Sequence, residues 1–143
     1  MGKVNATVQF DAPQEEVWAI MTDPGRYEEW LTIHTKWKDE TPESFTQGAQ
    51  VAQVVTMLGM ANTIVWTVEE FEAPTTMKIS GTGMADVQSS FTVLVEPHDN
   101  GGSKVGMDAE FEGQMIVGAM GAAVEKDAKE QLGLSLENLR KLV

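Results

Sequence analysis

Few side chains in this sequence are of the kinds that carry out catalysis. The chain has two histidines and no cysteine, which excludes thiolate nucleophiles, thiolate metal sites and disulfides. His34 is expected to share a strand face with Lys36 and Lys38, and His98 falls in a polar turn. We therefore expect neither imidazole to face the apolar side of the protein, and the sequence shows no histidine-based metal cluster or Ser-His-Asp triad.

Acidic side chains are numerous but poorly placed for general acid–base catalysis. Asp108 and Glu110 alternate with apolar residues on a predicted strand, so they are expected to face outward. A carboxylate base would instead have to enter the interior, where desolvation raises its pKa. Asp86 and Glu112 lie near the ends of predicted elements and could reach a cavity rim, where acids are usually solvated. The sequence predicts no catalytic residue.

Two polar residues stand on strand faces that are otherwise apolar. Gln53 and Ser89 each occupy a position whose neighbours on the same face are hydrophobic. A buried polar group without a partner costs about 1–3 kcal/mol, so each side chain needs one. A backbone group or water is one solution, and the carbonyl or hydroxyl of a ligand is the other. The sequence leaves both open.

Alternation of apolar and polar residues predicts the strands that position these side chains. Successive side chains of a strand point to opposite faces, so strict alternation marks a half-buried strand. The pattern is clearest between residues 87 and 111, where two strands are separated by a turn at 98–102. The other predicted strands span 3–10, 33–38, 50–58, 63–71 and 76–81.

Three helices are predicted around these strands. Pro13 opens a first short helix, and Asp23 caps a second that begins at Pro24. A long amphipathic helix is predicted from about residue 115 to 142, near 40 Å in length. Its first turns are rich in small residues, which favours either close packing on the sheet or space for a ligand. These residues are Gly118, Ala119, Gly121, Ala122 and Ala123.

Length and charge limit the classes of protein to consider. A chain of 143 residues predicts one domain, 1–143, that buries roughly 70% of its unfolded surface. No apolar run is long enough to span a bilayer and the first residues lack a signal peptide, so we expect a cytoplasmic protein without stable membrane insertion. The formal net charge of −12 repels phosphate backbones, so nucleic acid is not an expected partner.

The order of elements resembles the START-like superfamily, which includes polyketide cyclases, lipid-transfer domains and Bet v 1-type proteins. Two segments are also similar to a bacterial subgroup described as the toxin half of a toxin–antitoxin pair, 29–34 and 59–62 with Ile64 and Trp66. The stretches that carry the wider resemblance are Asp11-Ala12-Pro13, Glu16-Val17-Trp18, and Asp23-Pro24 with Tyr27 and Trp30. The resemblance implies an α+β helix-grip fold. In that fold a curved seven-stranded antiparallel sheet surrounds a long C-terminal helix, with two short helices after strand 1.

The same resemblance implies a ligand cavity between the concave face of the sheet and the long helix. The implied function is binding of a hydrophobic or amphipathic small molecule, such as a lipid or polyketide-like compound, with no metal or redox cofactor. The residues expected to line this cavity are Trp37, Gln53, Val55, Met57, Trp66, Ile79, Ser89, Phe91, Met107 and Ala109 from the sheet, and Met120 and Val124 from the helix.

The sequence leaves two other functions open. One is a polyketide cyclase or dehydratase that holds a flexible chain and donates hydrogen bonds from Gln53 or Ser89. The other is a protein-binding module, such as a toxin–antitoxin component or a client chaperone. Apolar residues at strand ends and turns fit either an adaptable cavity entrance or a contact with a protein partner or second copy. They are Met57, Leu58, Met60, Met84 and Met115.

Overall fold

Seven strands form one antiparallel sheet in the residues that the structure describes. The computed structural model describes residues 2–38, 40, 43–83, 86–114 and 116–143. The strands are β1 (Gly2–Phe10), β2 (His34–Trp37), β3 (Gln50–Met57), β4 (Met60–Glu72), β5 (Thr76–Thr82), β6 (Gln88–Pro97) and β7 (Ser103–Glu112). Their order in the sheet is β1-β7-β6-β5-β4-β3-β2. The predicted α+β helix-grip architecture is therefore confirmed.

In the described part of the chain three α-helices accompany the sheet, as predicted. They are α1 (Gln14–Met21), α2 (Tyr27–Trp30) and α3 (Gly118–Arg140). A 3-10 turn over Pro24–Arg26 leads into α2, and the Asp23 carboxylate accepts a hydrogen bond from the Gly25 N–H at 3.1 Å. The long helix α3 packs against both β1 and β3, which lie near opposite ends of the sheet order, so the sheet curves around it.

The strand register places the predicted apolar faces together. On β6 and β7 the pairs Phe91–Ala109, Val93–Met107 and Val95–Val105 are directly opposite one another. All of these side chains are buried. Because the side-chain period of a strand is two, the alternation in the sequence is enough to fix which residues of β6 and β7 face the core.

Helix α3 begins later than the sequence predicts. Its first residue is Gly118 rather than a residue near 115, because the preceding segment turns inward. The Ile116 N–H donates to the Gly113 carbonyl at 3.1 Å, and the Ile116 side chain is buried. Val117 is extended at the N-cap, and its side chain is exposed. Met84 and Met115 lie outside the described residues.

The small residues at the start of α3 do not act as one group. Only Gly121 is buried, and a Cβ there would approach the Ile116 carbonyl carbon to 3.2 Å. The others, Gly118, Ala119, Ala122 and Ala123, are exposed to solvent. Close packing therefore explains Gly121 alone. No described helix has both the length and the apolar character needed to cross a bilayer.

Candidate ligand-binding site

An apolar hollow opens where the start of α3 faces the turn between β3 and β4. Its volume is about 150 Å³, and we call it the mouth hollow. The residues that line it are Val55, Met57, Leu58, Met60, Asn62, Ile64, Val87, Ser89, Phe111, Ile116, Met120 and Val124. Almost every lining side chain is apolar, so the hollow favours the hydrocarbon part of a molecule over water.

Small side chains on neighbouring strands leave space beside this hollow. Across the inner face of the sheet, Ser89 pairs with Phe111 on β7 and with Gly81 on β5. Gly81 in turn pairs with Trp66 on β4. A Cβ at Gly81 would overlap the carbonyl oxygen of Val65, so the spacing of β4 and β5 requires glycine at this point. The row therefore presents only a serine hydroxymethyl group between the aromatic rings of Phe111 and Trp66.

The rim of the mouth hollow is an unusually exposed apolar surface. Leu58, Met60 and Met120 are 42%, 51% and 42% exposed. Leu58 and Gly59 form the two-residue turn between β3 and β4, and both have positive φ angles, 52° and 76°. The Leu58 N–H donates to the Asp127 carboxylate at 3.3 Å, which connects this turn to α3. Large exposed apolar residues grouped at an opening are typical of a binding surface.

The residues predicted to line one cavity lie in several separate parts of the interior. Val55, Met57, Ser89, Met120 and Val124 line the mouth hollow. A deeper hollow of about 30 Å³ is bordered by Gln53, Trp66, Ile79, Phe91 and Met107. A third, of about 10 Å³, is bordered by Met57 and Phe91. Trp37 and Ala109 border none of these three hollows. Side chains thus subdivide the interior between sheet and helix.

Several residues that line the mouth hollow were not predicted from the sequence. Ile64 and Phe111 could have been found, since they share strand faces with Trp66 and Ala109 by simple alternation. Ile116 carries no such signal, because it lies in an irregular segment between β7 and α3. Its position in the site depends on the turn at residue 113, which no periodic pattern predicts.

The buried amide of Gln53 is held by two side chains. Trp66 Nε1–H donates to Gln53 Oε1 at 2.8 Å, and Gln53 Nε2 lies 2.7 Å from His34 Nδ1. Because the amide oxygen faces the indole, the amide nitrogen must donate to His34. The neutral imidazole then carries its proton on Nε2. The partners of Gln53 among the described residues are therefore the side chains of Trp66 and His34, and one N–H of its amide is engaged by His34.

The expectation that His34 faces outward with Lys36 and Lys38 was wrong. The pairing of β2 with β3 shifts register between His34 and Lys36, where one extra residue forms a β-bulge. His34 pairs with Val55 on the inner face, and its ring lies 5.9 Å from that of Tyr27. Burial lowers the pKa of His34, and the nearby Glu28 carboxylate opposes this shift.

Trp37 belongs to an aromatic cluster beneath α2. Its indole Nε1–H donates to the Pro24 carbonyl at 3.0 Å. The ring centroids of Trp37 and Tyr27 are 5.5 Å apart, and Phe45 packs against both rings. This hydrogen bond and the ring contacts account for the burial of Trp37 without a ligand.

The Ser89 hydroxyl and the Trp30 indole N–H have no hydrogen-bond partner among the described residues. Ser89 is only 6% exposed, and no described group pairs with its hydroxyl. The indole N–H of Trp30 is also buried and without a partner, and Trp30 borders the deeper hollow. An unpaired buried donor such as the Trp30 N–H is costly, so it favours the arrival of an acceptor.

Comparison with known proteins agrees with this geometry. Residues 1–143 match the family described as polyketide cyclase / dehydrase and lipid transport. The chain belongs to this family. Among its relatives is Toxin Rv0910 of Mycobacterium tuberculosis (strain ATCC 25618 / H37Rv), which is 33% identical over 138 residues, 96% of this chain and 95% of the relative.

Solved structures of low sequence identity share the family fold. A START superfamily protein from Mycobacterium smegmatis superposes with a TM-score of 0.76 at 19% identity, covering 100% of this chain and 97% of that one. Protein CV1439 from Chromobacterium violaceum gives a TM-score of 0.77 at 15% identity, covering 100% and 98%. The described residues therefore share the START-like architecture of these structures.

Proposed function

We propose that the protein binds a hydrophobic or amphipathic small molecule, such as a lipid or a polyketide-like compound, in the mouth hollow. The observation that carries the proposal is an apolar opening between sheet and helix with an exposed apolar rim. The contacts with the ligand are assigned to the predicted residues that line this opening, which are Val55, Met57, Ser89, Met120 and Val124. The family described as polyketide cyclase / dehydrase and lipid transport supports this function.

The size of the hollow limits the enclosed part of the ligand. Pockets for drug-sized ligands have volumes of about 300–1,000 Å³, whereas the mouth hollow has about 150 Å³. A dry apolar cavity of about 150 Å³ accepts a molecule the size of benzene. The enclosed part is thus a single ring or a short alkyl chain. The rest of a larger lipid would lie over Leu58, Met60 and Met120 at the rim.

Filling the hollow tests the proposal. Toluene is expected to bind the wild-type protein saturably in calorimetric titration, because it matches the volume and the apolar lining. Val124→Trp places an indole in the hollow and should weaken this binding by at least about tenfold. The control is Leu134→Trp, which adds the same ring to an exposed position of α3 and should leave toluene binding unchanged.

Two results would contradict the proposal. One is a wild-type protein that neither binds toluene nor carries a lipophilic compound in native mass spectra of the purified protein. The other is equal toluene binding by wild-type protein and Val124→Trp. Thermal melting of both tryptophan variants establishes that each is folded when binding is measured.

The name of the Mycobacterium tuberculosis relative favours a second candidate, inhibition of growth through a protein partner. The exposed rim residues Leu58 and Met60 offer such a partner an apolar surface. Induced expression of the wild-type chain in a bacterial host should then slow growth, and Leu58→Asp with Met60→Asp should abolish the effect. Normal growth at high soluble levels of the wild-type protein would reject this candidate.

A further inference from the structure

We propose that the mouth hollow selects an uncharged ligand whose single polar group, a hydroxyl or a carbonyl, hydrogen-bonds to the Ser89 hydroxyl. This inference rests on the proposed function and adds the chemical class of the ligand. Alcohols, ketones and esters belong to the class, whereas carboxylates and phosphates do not.

The position of Ser89 supplies the first argument. The side chain is 6% exposed, lines the mouth hollow and has no hydrogen-bond partner among the described residues. The other polar side chain of the lining is Asn62, which is already engaged in an interaction. A hydroxyl both donates and accepts, so Ser89 can pair with an alcohol or with a carbonyl. One polar contact within an apolar lining fixes the orientation of a ligand.

The distribution of basic residues supplies the second argument. All ten lysines and arginines lie in the described part of the chain. None of them lines the mouth hollow, the deeper hollow or the third hollow. A carboxylate that entered the hollow would lose its hydration without gaining a cation. A neutral alcohol or ketone loses much less hydration and recovers a hydrogen bond from Ser89. The hollow therefore discriminates against anions by leaving their charge unpaired.

Charges at the rim of the mouth hollow also disfavour an anionic ligand. The Asp127 carboxylate accepts the Leu58 N–H at the opening, and the protein carries a net charge of −12. An anion emerging from the hollow meets negative potential there. The N-terminal end of α3 is the feature of the rim that favours an anion, since a helix dipole is positive at this end. Preferential binding of an anion would show that this end of α3 dominates.

Ligands that share one chain length and differ only in their polar group distinguish the hydrogen bond to Ser89 from the effect of charge. At pH 7.5, 1-octanol and 2-octanone are expected to bind saturably in calorimetric titration. Octanoate should bind at least about tenfold more weakly, since its charge has no partner in the hollow. Ser89→Ala should weaken 1-octanol about fivefold while toluene binding is retained. The matched control is Ser90→Ala, on the opposite face of β6. It should change the binding of neither 1-octanol nor toluene.

Each outcome has a defined meaning. Binding of octanoate as tight as that of 1-octanol overturns the inference and leaves the proposed function intact, provided that toluene still binds. Equal loss of toluene and 1-octanol in Ser89→Ala also overturns it, because Ser89 would then act only through packing. If wild-type protein binds neither toluene nor any octyl compound, the proposed function fails and the inference fails with it.

Discussion

At the scale of single residues, Gln53 connects the interior to the edge of the sheet. Its amide accepts from the Trp66 indole and donates to the His34 imidazole, so both ends of one side chain are fixed. Gln53 is 3% exposed, and an amide in that position is stable only when both groups are paired. The state of His34 therefore determines whether the Trp66 N–H retains its acceptor.

Protonation of His34 is expected to destabilise the fold. A proton on Nδ1 would face the Gln53 amide donor, and rotation of the amide would remove the acceptor of Trp66. Burial lowers the pKa of His34 below the 6.5 of an exposed imidazole, against the opposing effect of Glu28. The contribution of neutral His34 to stability is then fully present above pH 6.5 and is lost as the pH falls through the lowered pKa.

Nitrogen NMR of the imidazole and denaturation at several pH values check this prediction. The spectra should show the proton on Nε2 and a titration midpoint below pH 6.5. The unfolding free energy should decrease below pH 6.5, and His34→Gln should reduce that dependence. A proton on Nδ1 at neutral pH, or a midpoint above 6.5, would disprove the proposed arrangement of the three side chains.

At the scale of elements, the distance between β4 and β5 depends on one glycine. Gly81 lies opposite Trp66 on β4 and Ser89 on β6, where a side chain would overlap the Val65 carbonyl. The missing side chain allows β4 and β5 to approach closely. It also leaves the paired residues on the inner face without a large side chain at this point. A contrasting glycine, Gly133 on α3, has no neighbour within 4 Å of its added Cβ.

Substitution of these two glycines should change stability in opposite directions. Gly81→Ala is expected to lower the unfolding free energy by about 1–3 kcal/mol, because the strands must separate to admit the methyl group. Gly133→Ala should raise it by about 0.5–1 kcal/mol, because alanine favours the helix and the methyl group meets open space. Chemical denaturation measures both. A neutral Gly81→Ala variant would mean that β4 and β5 tolerate a wider spacing.

At the scale of the whole molecule, packing is tighter at the C-terminal end of α3 than at its N-terminal end. Ala128, Leu132, Leu136 and Leu139 are buried against the sheet along the C-terminal part of the helix. Near its N-terminus Met120 is exposed, and the mouth hollow opens beneath it. The buried end supplies the apolar contacts that hold helix and sheet together, which allows the other end to remain open.

The architecture follows from local patterns in the sequence. Alternation fixed the inner faces of β6 and β7, since a period of two assigns every residue to a side whatever its partner strand. Asp23 with Pro24 marked the turn before α2 through local hydrogen bonding and a restricted φ. The lengths and order of these elements are those of the START-like fold.

The site depended on contacts between segments far apart in the chain. The bulge in β2 turned His34 inward, and whether a bulge forms is decided by pairing with β3 rather than by the residues of β2 alone. The partners of Gln53 lie 13 and 19 residues away. The size of the mouth hollow likewise depends on how Ile116, Ser89 and Phe111 meet in space. The sequence determined which residues of the regular strands face inward, whereas only the tertiary structure decided the inward turn of His34, which residues pack together and which leave room.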